Sequence, residues 1–337
     1  MSRNLIPLSV VATLLGGTAM ADVPSVAVDI APVHSLVARV MQGVGEPSLI
    51  VAPGASPHEY SLRPSEAAAL QGADLVFWVS PDLTPWLEGA IETLAGDATV
   101  TELLEVDGTT ELAFREGASF EVHDHGDEDH ADEDHDDHKH DEHAAGEEHD
   151  EHGHEEHAEE AGHDDHGHEE HAEGDDHGHD PHAWLSPDNA AVWLNAIAAQ
   201  LSAADPDNAG AYFANAAAGR DELTALSAEI NGILDPVRGR NFIVFHDAYQ
   251  YFETAFDFPA SGAISVSDAS DPSPARIAEI QARVAEQGVS CVLSEPQFDP
   301  GIVAAVMDGS EASTGVLDPL GSDLEPGPDL YGNVLRN

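Results

Sequence analysis

The stretch over residues 121–180 constrains the fold more than any other part of the sequence, because it cannot form a core. It repeats His, Asp, Glu, Gly and Ala and contains almost no large apolar side chain. A segment of this kind buries too little apolar surface to offset the entropy of ordering its backbone. We therefore predict a disordered surface loop over 121–180, inserted between two parts of the chain that fold.

On both sides of this loop, short apolar runs alternate with segments of helical periodicity. Apolar runs bounded by turn residues are typical of buried parallel strands, and their alternation with helices predicts a doubly wound α/β sheet. The predicted strands are VAVDI, SLIVA and LVFWV before the loop, and NFIVF, ISV, VSCVL and GVLD after it. The sequence therefore predicts two doubly wound α/β lobes.

Helix start and stop signals support this organisation. Pro64 opens a helix that Gly72 ends, and Ser186 is placed to cap a helix with Pro187 at its first position. An Ala-, Glu- and Leu-rich stretch over 207–234 has no proline and would span roughly 40 Å as a rigid helix joining the lobes. The predicted domains are an export signal over 1–21, an N-terminal α/β lobe over 22–205, a linking helix over 206–235 and a C-terminal α/β lobe over 236–337.

The first residues have the pattern of a cleavable export signal. Arg3 precedes an apolar stretch over 5–15, and Ala19 and Ala21 supply the small residues of a cleavage site. The apolar stretch is shorter than the roughly 20 residues that cross a bilayer. The single cysteine, Cys291, lies far from the cleavage site and can form no intramolecular disulfide. We therefore predict a soluble periplasmic protein that is not a lipoprotein.

The charge balance excludes two classes of partner. The formal net charge is −54, from 65 acidic and 11 basic residues. The loop over 121–180 holds 28 of the acidic residues and one basic residue, which leaves 37 acidic and 10 basic residues elsewhere. Such an excess argues against binding to nucleic acid or to an anionic membrane surface and favours cations as ligands.

Only four histidines of the predicted mature chain lie outside the loop. His58 and His182 each precede a predicted helix, and His246 follows the predicted strand NFIVF. These three therefore lie at turns near the mouth of an α/β layer, where open sheets place their ligands. His34 lies inside an apolar helical stretch, and we interpret it as a packing residue.

Three imidazole rings suit Zn²⁺ and leave one tetrahedral position for a carboxylate or water. Asp318, at the end of the predicted strand GVLD, is the acidic candidate for that position. Glu59 and Asp247 adjoin two of the histidines, and a role in orienting a ligand ring suits them better than direct ligation. The residue pattern alone leaves open whether these histidines bind metal or cap and pack helices, and whether Asp318 is only a turn residue.

The loop carries a separate metal-binding signal. It contains 17 histidines between positions 123 and 179, mixed with carboxylates in clusters such as HDDHKHDEH. Tracts of this composition bind metal ions loosely at several places, and they release them on mild acidification because protonated imidazole cannot ligate. We therefore predict additional weak Zn²⁺ sites in the loop, against the alternative of a solubilising spacer.

Several motifs follow one another after the export signal. They are GASPHEYSLRPSEAAALQGADLVFWVSPDL, the acidic His-rich loop, HAWLSPDNA, FHDAYQYFE, CVLSEPQF and GVLDPLG. In this order they resemble the ZnuA-type solute-binding proteins of bacterial zinc ABC importers, over nearly the whole mature chain. The resemblance implies two α/β lobes joined by a rigid helix, with zinc in the cleft between them. It assigns His58 and His182 to the first lobe and His246 to the second, with Asp318 as a ligand or a close neighbour of the metal.

The sequence departs from the family pattern in three places. Some relatives use a glutamate immediately before the first histidine as a ligand, and Pro57 occupies that position here. Relatives often pair a cysteine at the Cys291 position with one near the C-terminus, and this sequence has no second cysteine. The sequence also ends with LYGNVLRN, where the family usually continues through a final helix, so we expect a C-terminal lobe that is shortened at its end.

The resemblance predicts a monomeric periplasmic receptor that delivers Zn²⁺ to the permease of an ABC importer and is not an enzyme. One alternative is a receptor of the same fold for manganese or iron, whose harder ions favour more carboxylate ligands. Another is a secreted zinc hydrolase, but the sequence contains neither HExxH nor G-x-S-x-G. A third is adhesion or metal buffering by the loop alone.

Overall fold

The structure is a computed structural model that describes residues 23–115, 178–265 and 272–337. The predicted export signal and most of the predicted loop, residues 121–177, lie outside the described residues. Gly178, His179 and Asp180, the last three residues of the predicted loop, are instead part of the fold: His179 forms an antiparallel bridge with Ala113, and Asp180 is buried. Within the described ranges no helix has both the length and the apolarity to cross a bilayer.

The first lobe contains a four-stranded parallel sheet. Its strands, in the order β2-β1-β3-β4, are β1 (Val26–Val28), β2 (Ser48–Leu49), β3 (Leu75–Trp78) and β4 (Thr99–Glu102). Three helices connect them, namely α1 (Ala31–Val40), α2 (Pro64–Gln71) and α3 (Pro85–Leu94). Val28 and Ala27 belong to two different apolar clusters, so both faces of this sheet are covered. Burial on both faces explains the continuous apolar runs in the sequence.

The residues that the sequence predicts to start or end helices do so in the structure. Gly72 follows the last residue of α2, and the side chain of Glu66 accepts a hydrogen bond from the backbone of Arg63 at the start of that helix (2.8 Å). The helix α4 (Pro187–Ala204) has Pro187 at its first position, and the Ser186 hydroxyl accepts from the backbone N–H of Asn189 (3.3 Å). These contacts satisfy backbone groups that the first turn of a helix leaves unpaired.

The long helix α5 (Ala209–Leu234) lies inside the stretch that the sequence predicts as helical. Its 26 residues span about 39 Å. It packs closely along α4, because Gly219 leaves room for Leu194: a Cβ atom at position 219 would lie 2.9 Å from a methyl group of that leucine. The domain boundaries at 205 and 235 stay predictions.

The second lobe repeats the architecture of the first. Its strands, in the order β6-β5-β7-β8 and all parallel, are β5 (Phe242–His246), β6 (Ala263–Ser265), β7 (Cys291–Ser294) and β8 (Ser313–Val316). The helices are α6 (Gln250–Phe256), α7 (Pro274–Glu286) and α8 (Pro300–Met307). Val244 and Ile243 belong to different apolar clusters on opposite faces of the sheet. The predicted fold class, two doubly wound α/β lobes, is confirmed.

The last helix, α9 (Leu330–Arg336), packs on the first lobe although its residues follow the second lobe in sequence. Leu330 and Val334 form an apolar cluster with Ala31 of α1, and the backbone N–H of Tyr331 donates to the Ser35 hydroxyl (2.9 Å). These residues belong to the predicted C-terminal lobe over 236–337, a division that stays a prediction. In the structure they cover a face of α1.

Asp29 is a fully buried carboxylate at the carboxyl end of β1. Its two oxygens accept the backbone N–H groups of Ile30 and Val79, each at 2.7 Å, and so hold the ends of β1 and β3 together. Burial is the largest influence on this group and raises the pKa of Asp29 from 3.8 to about 7, although the two backbone hydrogen bonds oppose the shift.

The raised pKa predicts a specific pH dependence of stability. The folded protein holds a proton on Asp29 that the unfolded chain releases near pH 3.8, so the stability from this group is full below that pH and is lost as pH rises to about 7. The loss amounts to at most about 1.4 kcal/mol per pH unit. We expect Asp29→Asn to flatten this slope in chelator-treated protein, measured by urea unfolding between about pH 5 and pH 7. Equal slopes for the wild type and the variant would contradict the assignment.

Candidate metal centre

Three distant segments of the chain bring their histidines to one cavity. His246 is the last residue of β5, a central strand of the second sheet, at the point where the strand order reverses. His182 precedes a short 3₁₀ turn that leads into α4, and His58 lies in the connection between β2 and α2. All three line a small cavity together with Ser56, Pro57, Trp184, Glu295, Gln297, Phe298, Pro319 and Leu320.

Two of the rings have the spacing of metal ligands. The Nε2 atoms of His182 and His246 are 3.4 Å apart. Two nitrogen ligands about 2.1 Å from one tetrahedral zinc ion are about 3.4 Å apart, so these atoms already have the separation that such an ion requires. The ring centroids of His58 and His182 are 5.7 Å apart.

A buried carboxylate contacts the Nδ1 atom of each of these two rings. Asp180 contacts Nδ1 of His182 at 2.7 Å, and Glu295 contacts Nδ1 of His246 at 2.8 Å. Because a carboxylate only accepts hydrogen bonds, each Nδ1 carries the proton and each Nε2 presents a lone pair to the cavity. Carboxylates in this position fix the tautomer and orientation of metal-ligating histidines and increase their basicity.

The same carboxylates also anchor the backbone. Asp180 accepts from the backbone N–H of His182 (3.0 Å), and Glu295 accepts from that of His246 (3.3 Å). All four side chains are buried, with 2 to 6% of each residue exposed. A divalent cation at the two Nε2 atoms would offset the negative charge of this buried pair of carboxylates, which favours a dication over a neutral ligand.

The site is not complete in its present arrangement. Among the residues that the structure describes, no group of three or more His, Cys, Asp or Glu side chains stands ready to hold a metal ion. The third predicted ligand, His58, is half-buried and lies on a connection rather than on a strand or helix. The 5.7 Å between the ring centroids of His58 and His182 is close to the 5.3 Å between those of His182 and His246, and all three rings line one cavity.

Asp318 is engaged in a turn after β8 and is not among the residues that line the cavity. Its carboxylate accepts from the backbone N–H groups that follow it, those of Leu320 (3.1 Å), Gly321 (3.0 Å) and Ser322 (2.5 Å). The Gln297 side chain donates to the same carboxylate at 3.3 Å. The geometry thus shows Asp318 as a turn residue, and its role as the fourth ligand stays a prediction.

Carboxylates other than Glu59 and Asp247, the two that the sequence suggests for the orienting role, contact His182 and His246. Glu59 is exposed, and Asp247 forms an ion pair with Arg115. The orienting residues are Asp180, which lies within the predicted loop over 121–180, and Glu295. A signal for each was present: Asp180 precedes His182 by two residues, and Glu295 directly follows the strand β7, beside β5.

His34 has the packing role that the sequence predicted. It is buried in α1, and its Nε2 atom lies 3.1 Å from the carbonyl oxygen of Pro47. Burial lowers the pKa of His34, which favours the neutral ring.

Comparisons with known proteins agree with this architecture. Residues 26–337 match the family described as zinc-uptake complex component A, periplasmic. The chain is 46% identical to the high-affinity zinc uptake system protein ZnuA of Brucella abortus, over 96% of this chain and 91% of that protein. It is 44% identical to the ZnuA protein of Paracoccus denitrificans, over 97% and 94%. A crystal structure of ZnuA has the same fold, with a TM-score of 0.67 at 23% identity over 94% of this chain and 96% of the other.

The contact between Glu295 and His246 generates a test. We expect Glu295→Gln to weaken zinc binding by about 10- to 100-fold, because a neutral amide no longer orients and polarises the ring as a carboxylate does. Isothermal titration with a competing chelator measures the affinity. Glu222→Gln is the matched control, since Glu222 accepts two hydrogen bonds from Arg39 in the first lobe. A similar loss of affinity in both variants would contradict the role of Glu295.

Proposed function

The chain belongs to the ZnuA family of periplasmic zinc-uptake components, and we propose that its cleft captures Zn²⁺ through His58, His182 and His246. In this proposal the fourth position takes Asp318 or water. The protein then delivers the ion to the permease of an ABC importer. Zinc is the cargo of the site, so the chain acts as a receptor and not as an enzyme.

One observation carries the proposal. The Nε2 atoms of His182 and His246 lie 3.4 Å apart in a buried cavity, and a carboxylate holds the opposite nitrogen of each ring. Two neutral rings with facing lone pairs gain nothing from each other, whereas a cation between them binds both lone pairs. The arrangement is therefore best explained by a metal ion.

The donor set favours zinc over the other metals and reactions considered. Manganese and iron prefer more oxygen ligands, whereas the atoms that face each other here are imidazole nitrogens. A hydrolase needs a general base beside an open metal position. Of the described residues that line the cavity, Glu295 is the one carboxylate, and it already accepts the hydrogen bond of His246.

The remaining features of the proposal follow from the sequence. Export by a signal over 1–21 without a lipid anchor would place the protein free in the periplasm, as a monomer. The 17 histidines between positions 123 and 179 would provide additional weak zinc sites that raise the local zinc concentration.

Substitution of the ligands tests the central claim. We expect His58→Ala, His182→Ala and His246→Ala each to lower zinc affinity by more than about 100-fold, which exceeds the effect of losing an orienting partner. Competitive titration and metal analysis of the purified variants measure this. His34→Gln, at a buried histidine outside the cavity, should bind zinc like the wild type. Retention of wild-type affinity by His182→Ala or His246→Ala would refute the proposed site.

A pair of deletions separates the cleft from the loop. Residues 121–177 can be replaced by a short linker because Ala113 and His179 are bridged, and we expect this variant to keep one tight zinc site while losing the weak ones. Extending the deletion to 121–180 removes Asp180 and should weaken the tight site about 10- to 100-fold, since His182 loses its orienting carboxylate. Loss of tight binding in the shorter deletion would show that the loop itself supplies the high-affinity site.

A further inference from the structure

The two segments that flank the loop pack against the second lobe beside the candidate metal centre. The hydroxyl of Tyr251, on α6, accepts from the backbone N–H of Leu112 and donates to the backbone carbonyl of Asp180, both at 2.9 Å. One side chain of the second lobe thus joins the segment that precedes the loop to the segment that follows it. The residue it holds, Asp180, is also the one that orients His182.

Arg115 adds two ion pairs to this junction. Its guanidinium forms a two-pronged ion pair with Asp247, in which Nε lies 3.0 Å from one carboxylate oxygen and Nη2 contacts the other. It also donates to both oxygens of Glu253 on α6, at 2.8 and 3.1 Å. The side chains of Asp247 and Glu253 are only 9% and 6% exposed, so these charges are largely removed from water.

The position of this ion pair links it to the metal centre. Asp247 directly follows His246. Arg115 of the first lobe therefore forms an ion pair with the residue next to a proposed zinc ligand of the second lobe. Separating the lobes at this point would leave two buried carboxylates without their cation, which is costly. The contact therefore resists the opening that a bound ion needs in order to leave.

Resting on the proposed function, we propose that Arg115 is a positioning residue that controls how long Zn²⁺ stays bound. It does not ligate the ion. It holds the segment before the loop against Asp247 and Glu253, and thereby keeps His246 at ligand distance from His182. Loss of the Arg115 side chain should mainly speed the dissociation of zinc. The ion enters before the contact of Arg115 with Asp247 and Glu253 has formed, but it leaves only after that contact has broken.

The guanidinium geometry makes the proposal specific. A lysine at position 115 would keep the charge but could not serve both carboxylates with a planar fork, so Arg115→Lys should restore only part of the effect of arginine. The contact between Arg39 and Glu222 offers a matched control. It is also a two-pronged ion pair, at 2.9 and 2.8 Å, but it joins α1 to α5 away from the cavity.

The experiment measures zinc release from the full chain. The proteins compared are the zinc-loaded wild type, Arg115→Gln, Arg115→Lys and Arg39→Gln. Each is mixed with excess chelator, and the slowest phase of zinc transfer to the chelator is followed by stopped flow. We expect Arg115→Gln to release zinc at least about 5-fold faster, Arg115→Lys to be intermediate, and Arg39→Gln to match the wild type. Thermal unfolding of the metal-free proteins identifies effects on stability alone.

Two results would overturn the inference. One is wild-type release from Arg115→Gln, and the other is equal acceleration in Arg39→Gln. If Arg115→Gln does not fold, Arg115→Lys replaces it: release faster than that of the wild type supports the inference, and wild-type release overturns it. A wild type that binds no zinc tightly would instead refute the proposed function itself.

Discussion

The carboxylate–imidazole contacts are the constraint around which the rest of the site is arranged. A histidine ring turns easily and exchanges its proton between two nitrogens, so it becomes a dependable ligand only when a partner fixes both properties. Asp180 does this for His182 from two residues away, whereas Glu295 does it for His246 from a neighbouring strand, 49 residues further along the chain. A local turn positions Asp180 and a parallel sheet positions Glu295, and each carboxylate orients one histidine ring.

The two sheets explain why such different segments meet. Both have the order 2-1-3-4 when their strands are counted within the lobe, so each has a crevice where the connections diverge to opposite sides. In the second lobe, His246 ends β5 and Glu295 directly follows β7, and these are the two strands that border this crevice. Arg115 and Tyr251 then join the first lobe to the helix that follows His246. The fold supplies the position of the rings, and the interlobe contacts maintain it.

Much of the fold could be predicted from the sequence because its strands are buried on both faces and its helices carry clear start and stop residues. The elements that the sequence did not reveal lie where that signal is weak. β4 (Thr99–Glu102) is a half-exposed edge strand without an apolar run, and α9 (Leu330–Arg336) is short. In the site, the histidines could be chosen by their place before or after sheet elements. Among the carboxylates, Asp180 is signalled by its place two residues before His182, whereas the contact of Glu295 with His246 depends on strand order. Asp318 follows a strand, but its carboxylate accepts from the backbone of the turn that follows it.

The packing of α9 on α1 has a consequence for how the chain reaches its native state. The first lobe comes first in the sequence, yet the residues that cover its helix α1 lie in α9, near the C-terminus. One of them is Tyr331, whose backbone N–H donates to Ser35 and whose hydroxyl donates to the carbonyl of Trp184 (2.7 Å). Domains usually fold in the order of their synthesis. Here the apolar face of α1 is covered only by residues that follow the second lobe in sequence, so the packing of the first lobe is completed by the end of the chain.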